Sequence, residues 1–192
     1  PHLSLKWPCE NGNAQLMIIA AEDSEDVVYA QCEEIAEIAQ EQGALEPVIA
    51  DRRHEQEEIL KIRSSIYTSL QSRTLDILDI SVPPSEIGTL MDDLDAIAEE
   101  YRTKIPLYGH AADGTLHAHI MDDIDASKLK VMKEDAYRKA IALGGTITAE
   151  HGIGKVRRDL LSLCLSSEEI ALMNEVKRIF DPNGVLNPEC KI

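Results

Sequence analysis

Three of the chain's six histidines fall within ten positions, in the stretch YGHAADGTLHAHI over residues 108–120. Asp113 and Gly114 are the kind of pair most used as a two-residue turn between antiparallel strands. Folded that way, His110 faces His117 across a hairpin, with Cβ atoms about 4.5–5.5 Å apart on one face. Two imidazoles at that separation can close on one metal ion. Side chains alternate along a strand, so His119 shares the face of His117 while Leu116, Ala118 and Ile120 point the other way. A second stretch, GGTITAEHGIGKVR over 144–157, sets Glu150 beside His151 between glycines that let backbone approach a ligand closely. Two histidines and one carboxylate make an open site for a first-row ion, with positions left for water or substrate. Zinc, manganese and iron all suit it, and spacing alone does not choose among them. The competing reading is structural: hydrogen-bonded hairpin histidines, and a Glu-His pair that caps a helix. Four of the six histidines lie within residues 109–152, and both segments are glycine-rich, which weakens the structural reading. His2 and His54 read as solvent-exposed.

These residues need a scaffold, and the pattern around them supplies one. The apolar run AQLMIIAAE (14–22), after the turn-like ENGN, reads as a buried strand, and ALEPVIA (44–50) as a short edge strand. Between them Ser24 is placed to cap a helix that Gly43 ends, and a second helix spans 51–72. TLDILDISVPP is a strand with both faces partly apolar, halted by its proline pair. The segment after it carries Ile87, Leu90, Met91, Leu94, Ile97, Ala98 and Tyr101 on one stripe, the most amphipathic helix in the chain. KIPLYGH and TLHAHIM form the hairpin, a helix follows over 127–143 up to Gly144-Gly145, and two more are expected near 154–164 and 167–180. FDPNGVLNPECKI reads as turn-rich tail. Helices and strands alternate around a hairpin, which predicts an α+β fold, a mainly antiparallel sheet covered by helices.

At 192 residues the chain is the size of one domain, taken here as 1–192. A net charge of −16 argues against nucleic acid and anionic membrane surfaces as partners, because both demand a clustered positive field. No apolar run approaches the roughly 18–20 residues of a transmembrane helix. The opening has no secretory pattern, and starting at Pro1 rather than methionine suggests a trimmed chain. Cys9, Cys32, Cys164 and Cys190 form no CxxC pair and read as reduced thiols of a cytoplasmic protein.

Taken together and in order, GHAADGTLHAHI, GGTITAEHGIGKVR and VKRIFDPNGVLNPECKI resemble the C-terminal, substrate-capping domain of FAD-linked oxidases. This is the branch of the vanillyl-alcohol oxidase superfamily that contains glycolate oxidase and the D-lactate and D-2-hydroxyglutarate dehydrogenases. The resemblance covers roughly residues 14–192 and implies a fold derived from the ferredoxin-like type. It implies a divalent metal held by His110, His117 and Glu150, with His151 as general base. Arg63 stands where relatives bind the substrate carboxylate, and a guanidinium grips a carboxylate with two parallel hydrogen bonds. Asn187 and the backbone of Gly152 and Gly154 stand where relatives approach the flavin.

The departures are specific. His119 replaces an asparagine that contacts substrate in many relatives, and Thr115 stands for the Asn of DGN. Ile77 occupies the place of a substrate-contacting lysine in hydroxyglutarate-type relatives, which leaves a second substrate carboxylate without a partner. The FAD-binding domain that precedes this cap in relatives is absent from the sequence, as is any dinucleotide-type glycine fingerprint.

The implied reaction is oxidation of a D-2-hydroxy acid to a 2-oxo acid, with hydride passing from the α-carbon to FAD. The FAD would be bound mainly by a partner domain or subunit, with the electron acceptor unspecified. The protein would be cytoplasmic, or brought to a membrane by a partner. Two other functions fit the residues alone: a self-contained metal-dependent hydrolase, and a non-catalytic metal-binding subunit that docks on a flavoenzyme.

Overall fold

A computed structural model describes residues 14–45 and 47–188. His2, Cys9, Cys190 and the turn expected at 10–13 lie outside the described residues. The chain divides into two compact units, Pro1–Gln71 and Ser72–Ile192.

In the first unit, Ser24 precedes α1 (Glu25–Glu41), whose first turn carries Glu25 and Asp26. Carboxylates there oppose the positive end of the helix dipole. Gly43 follows at φ +86°, a left-handed exit that glycine adopts without steric cost. The second helix, α2, spans Arg53–Gln71, and neither helix buries a residue. The strands expected over 14–22 and 44–50 do not form: the described residues there are irregular, and Leu16 and Ile19 are both 70% exposed. An apolar run becomes a strand only by joining a ladder. Among the described residues the sheet is built wholly within the second unit.

The second unit is α+β. Its antiparallel sheet has the order β1-β3-β2, from β1 (Thr74–Ser81), β2 (Leu107–His110) and β3 (Thr115–Met121). Pro83 and Pro84 end β1, since neither can donate to a ladder, and Pro84 starts a 3₁₀ turn leading into α3 (Ile87–Tyr101). The helix α4 (Leu129–Ala142) follows the hairpin. Leu90, Leu94 and Ile97 of α3 and Met132, Ala136, Tyr137 and Ala140 of α4 are buried in one core with Leu78, Ile80, Leu116, Ala118 and Ile120. Each fully buried large aliphatic side chain contributes about 1.5–3 kcal/mol. The two helices are tied by the Tyr101 hydroxyl donating to Asp135 Oδ2 at 2.6 Å. That hydrogen bond, with help from burial, pushes the Tyr101 phenol up to about 12.

The helix expected near 154–164 is only a 3₁₀ turn, Arg158–Leu163. Gly152 and Gly154 upstream sit at φ +74° and +52°, outside helical geometry, which delays the start. Helix α5 (Ser167–Phe180) begins with a full capping box between Ser166 and Glu169. No helix among the described residues is long and apolar enough to cross a membrane.

Candidate metal and substrate site

The sheet has an apolar face toward α3 and α4 and a second face on which β3 places Thr115, His117 and His119. All seven β3 residues are buried, so this polar face is covered as well. The hairpin register corrects the sequence reading. Tyr108, not His110, is paired with His117, and His110 is paired with Thr115. The connection therefore comprises four residues, 111–114, instead of two.

One contact within the hairpin and one from outside it explain the longer turn. Asp113 Oδ1 accepts from the Thr115 amide at 2.9 Å, and the Val82 amide donates to the Gly114 carbonyl at 3.1 Å, joining the tip to the end of β1. Gly114 has φ +77°, and a Cβ there would lie 1.8 Å from the Val82 carbonyl oxygen, so only glycine fits. His110 is left exposed at the rim, its ring edge-on to that of His117 with centroids 6.5 Å apart.

β1 contributes the residue that organises the rest. Asp79 pairs with His117 in the ladder and shares its face. Beyond β1, Ser81 and Thr146 exchange backbone hydrogen bonds, which runs residues 146–149 along the outer edge of the strand. The chain then curls around Asp79 Oδ2, which accepts from Thr148 Oγ1 (3.1 Å) and from the amides of Ala149 (2.9 Å), Glu150 (3.1 Å) and His151 (2.8 Å). Burial disfavours the Asp79 carboxylate, but the three amides and the hydroxyl outweigh it and hold the group below its ordinary value. Arg157 braces the same segment from the other side, donating to the carbonyls of Ile77 (2.7 Å) and Gly152 (3.1 Å) and to the Tyr137 hydroxyl (3.2 Å).

This fold brings Asp79, His117, Glu150 and His151 together, with one ligand atom from each within 4.8 Å of the others. His117 Nε2 lies 2.9 Å from Glu150 Oε1, and His117 Nδ1 lies 3.4 Å from Asp79 Oδ1. The His151 ring stacks on His117 at 4.8 Å and 7°, with Nδ1 3.8 Å from Asp79 Oδ1 and Nε2 3.6 Å from Glu150 Oε1. Asp79 and His117 are buried, whereas Glu150 and His151 are exposed, so the cluster opens on one side. Imidazole and carboxylate suit a first-row divalent ion, and the facing Nε2 and Oε1 stand about as far apart as two ligands of one such ion.

A family model described as FAD linked oxidases, C-terminal domain, matches residues 2–190. The chain belongs to this family. It is 34% identical over 185 residues to a D-lactate dehydrogenase of Archaeoglobus fulgidus, a match covering 95% of this chain and 40% of that protein. Against the glycolate oxidase subunit GlcD of Bacillus subtilis the identity is 31% over 179 residues, 90% of this chain and 38% of the relative. A D-2-hydroxyglutarate dehydrogenase of Stutzerimonas stutzeri is 32% identical over 157 residues, 77% of this chain and 34% of its own length. The chain thus spans at most about two fifths of these relatives.

Within this FAD-linked oxidase domain the other expected site residues are placed as follows. His119 is fully buried on the shared face, its Nδ1 2.8 Å from Thr74 Oγ1, opposite Ile77 in the ladder. Burial, and then the neighbouring His117, lower its basicity. The Tyr108 ring sits 5.4 Å from both His117 and His119. Gly152, Gly154 and Asn187 all adopt positive φ, Asn187 at +44°. Asn187 follows a turn tied by Asp181, which accepts from Lys177 Nζ (2.5 Å) and from the amides of Val185 (2.8 Å) and Leu186 (3.0 Å). Arg63 lies on α2, in the first unit.

Asp79 is the site residue that sequence reasoning missed. Its signal was a carboxylate flanked by Leu78 and Ile80 on a partly apolar strand, where a buried ion survives only with dedicated partners.

Proposed function

We propose that this chain is the metal- and substrate-binding part of a flavin-dependent dehydrogenase or oxidase of small D-2-hydroxy acids, of the D-lactate or glycolate kind. The observation that carries the reading is the convergence of His117, Glu150 and His151 at the open side of a buried, carboxylate-anchored cluster, in a chain of the FAD-linked oxidase family. His110, His117 and Glu150 hold a divalent ion, zinc, manganese or iron. When bound, that ion supplies Lewis-acid polarisation of the substrate hydroxyl, and FAD, held mainly by a separate domain or subunit, supplies the hydride acceptor.

The chain's own residues do the positioning and the proton transfer. The family resemblance assigns Arg63 to the substrate carboxylate, which a guanidinium grips by two parallel hydrogen bonds. His151, exposed beside Glu150 with Nε2 3.6 Å from Glu150 Oε1 and Nδ1 3.8 Å from Asp79 Oδ1, accepts the hydroxyl proton. As that proton leaves oxygen and the α-C–H bond gives up its electron pair, the carbon–oxygen double bond of the 2-oxo acid forms. Gly152, Gly154 and Asn187, with left-handed backbone and, at the glycines, open space around Cα, are the points of approach to the flavin. His119 and Ile77, paired on the site face, offer a weakly basic imidazole and an apolar side chain. Neither is a counter-charge for a second carboxylate, which supports a monocarboxylic substrate.

The test is to join the chain to an FAD-binding partner domain, load it with metal, and assay D-lactate, glycolate and D-2-hydroxyglutarate with an artificial electron acceptor. D-Lactate or glycolate should reduce the flavin far faster than D-2-hydroxyglutarate. If no hydroxy acid reduces it, the oxidase reading is wrong.

A further inference from the structure

We propose that Asp79 is a positioning residue for the metal ligand His117, and that its two oxygens divide the work. Oδ1 accepts the Nδ1 proton of His117, fixing the tautomer that leaves the Nε2 lone pair for the metal. Oδ2 binds the backbone of residues 149–151 and so delivers Glu150 to that same Nε2. The inference rests on the metal reading above and adds to it the device that prepares the ligands.

A purely structural aspartate, there to shape the 146–151 turn, would need only one oxygen. Oδ2 alone receives all four nest hydrogen bonds. Oδ1 is buried, makes no hydrogen bond elsewhere among the described residues, and stands 3.4 Å from His117 Nδ1, itself buried with no hydrogen-bond partner among them. Two such atoms facing each other inside a protein are a donor and an acceptor awaiting a tightened contact, since leaving both unpaired is costly. The imidazole's two nitrogens separate Asp79 from Glu150, which gives the two carboxylates different tasks. Oδ1 sits on the Nδ1 side, and Glu150 Oε1 on the Nε2 side at 2.9 Å. A carboxylate behind a ligating histidine sets ring orientation and raises ligand basicity. Ladder pairing of Asp79 with His117 places that carboxylate on adjacent strands of a rigid sheet, where side-chain freedom is least.

The experiment measures zinc affinity by competition with a chromogenic chelator, using the full 192-residue chain. Asp79→Asn retains the shape and an oxygen for the nest, but offers an N–H to His117 Nδ1 and so drives the ring proton to Nε2. Zinc affinity should fall about 10–100-fold. Ser166→Ala, which alters only the capping box of α5, should stay within about twofold of the parent chain. Should Asp79→Asn not fold, the parent chain decides the matter: nitrogen chemical shifts of zinc-loaded protein should show His117 ligating through Nε2 with Nδ1 protonated. Ligation through Nδ1, or an Asp79→Asn affinity equal to the parent's, overturns the assignment of Asp79 while leaving the metal site standing. A parent chain that binds no zinc overturns the metal reading itself, and this inference with it.

Discussion

Arg157 is the residue whose removal tests most clearly how the site segment is held. Substituting methionine keeps an unbranched stem and deletes three donors. The bond to the Ile77 carbonyl is short, at 2.7 Å, and partly buried; the bond to Tyr137 at 3.2 Å reaches a buried hydroxyl; the bond to the Gly152 carbonyl at 3.1 Å is exposed. A hydrogen bond from a charged donor contributes about 1.5–3 kcal/mol when shielded and much less in water. The first bond counts fully, the second in part, and the third little, for a total of roughly 2–4 kcal/mol. For a unit between the small and large domain classes, that corresponds to a fall in Tm of roughly 8–16 °C. Urea denaturation should show a lower midpoint at unchanged slope, because the exposed area on unfolding is the same. Hydrogen exchange should quicken first at the amides of 149–152 while α3 keeps its protection. A loss below about 1 kcal/mol, or exchange that quickens uniformly, would refute the claim that Arg157 clamps this segment.

Two further outcomes follow from particular contacts. Tyr101→Phe removes the bond to Asp135. Because the folded phenol is raised to about 12 from an ordinary value of 10.0, the wild-type advantage should be complete below pH 10 and vanish as pH rises toward 12, read as converging thermal midpoints of the two proteins. Ser166→Ala dismantles the capping box with Glu169 and should cost about 0.5–2 kcal/mol, seen by circular dichroism as earlier fraying of α5.

The alternation of His117 and His119 against Leu116, Ala118 and Ile120 made the central strand and its two faces legible, because a period of two is written directly into side-chain order. The proline pair after Ser81 and the stripe of α3 were legible for the same local reason. Pairing was less so. The runs at 14–22 and 44–50 have strand composition, but composition does not supply a ladder partner. The hairpin turn was misread by two residues because what lengthens it, the Gly114 contact with Val82, comes from the segment just past β1. The site shows the same limit. Glu150, His117 and His151 were legible as chemistry, yet the approach of Glu150 to His117 depends on the Ser81–Thr146 bridge and on Asp79, which join segments distant in sequence. Arg63 and Asn187 came from family resemblance, since nothing in their local pattern separates them from surface polar residues.

The proposed function divides labour around one ion: His110, His117 and Glu150 bind it, and His151 moves the proton. Zinc affinity of His110→Ala set beside that of His151→Ala tests this most directly. His110→Ala should lose zinc while His151→Ala retains it near the parent's affinity. Loss of zinc in His151→Ala with retention in His110→Ala would contradict it, and would place the ion among the four side chains that already converge, Asp79, His117, Glu150 and His151.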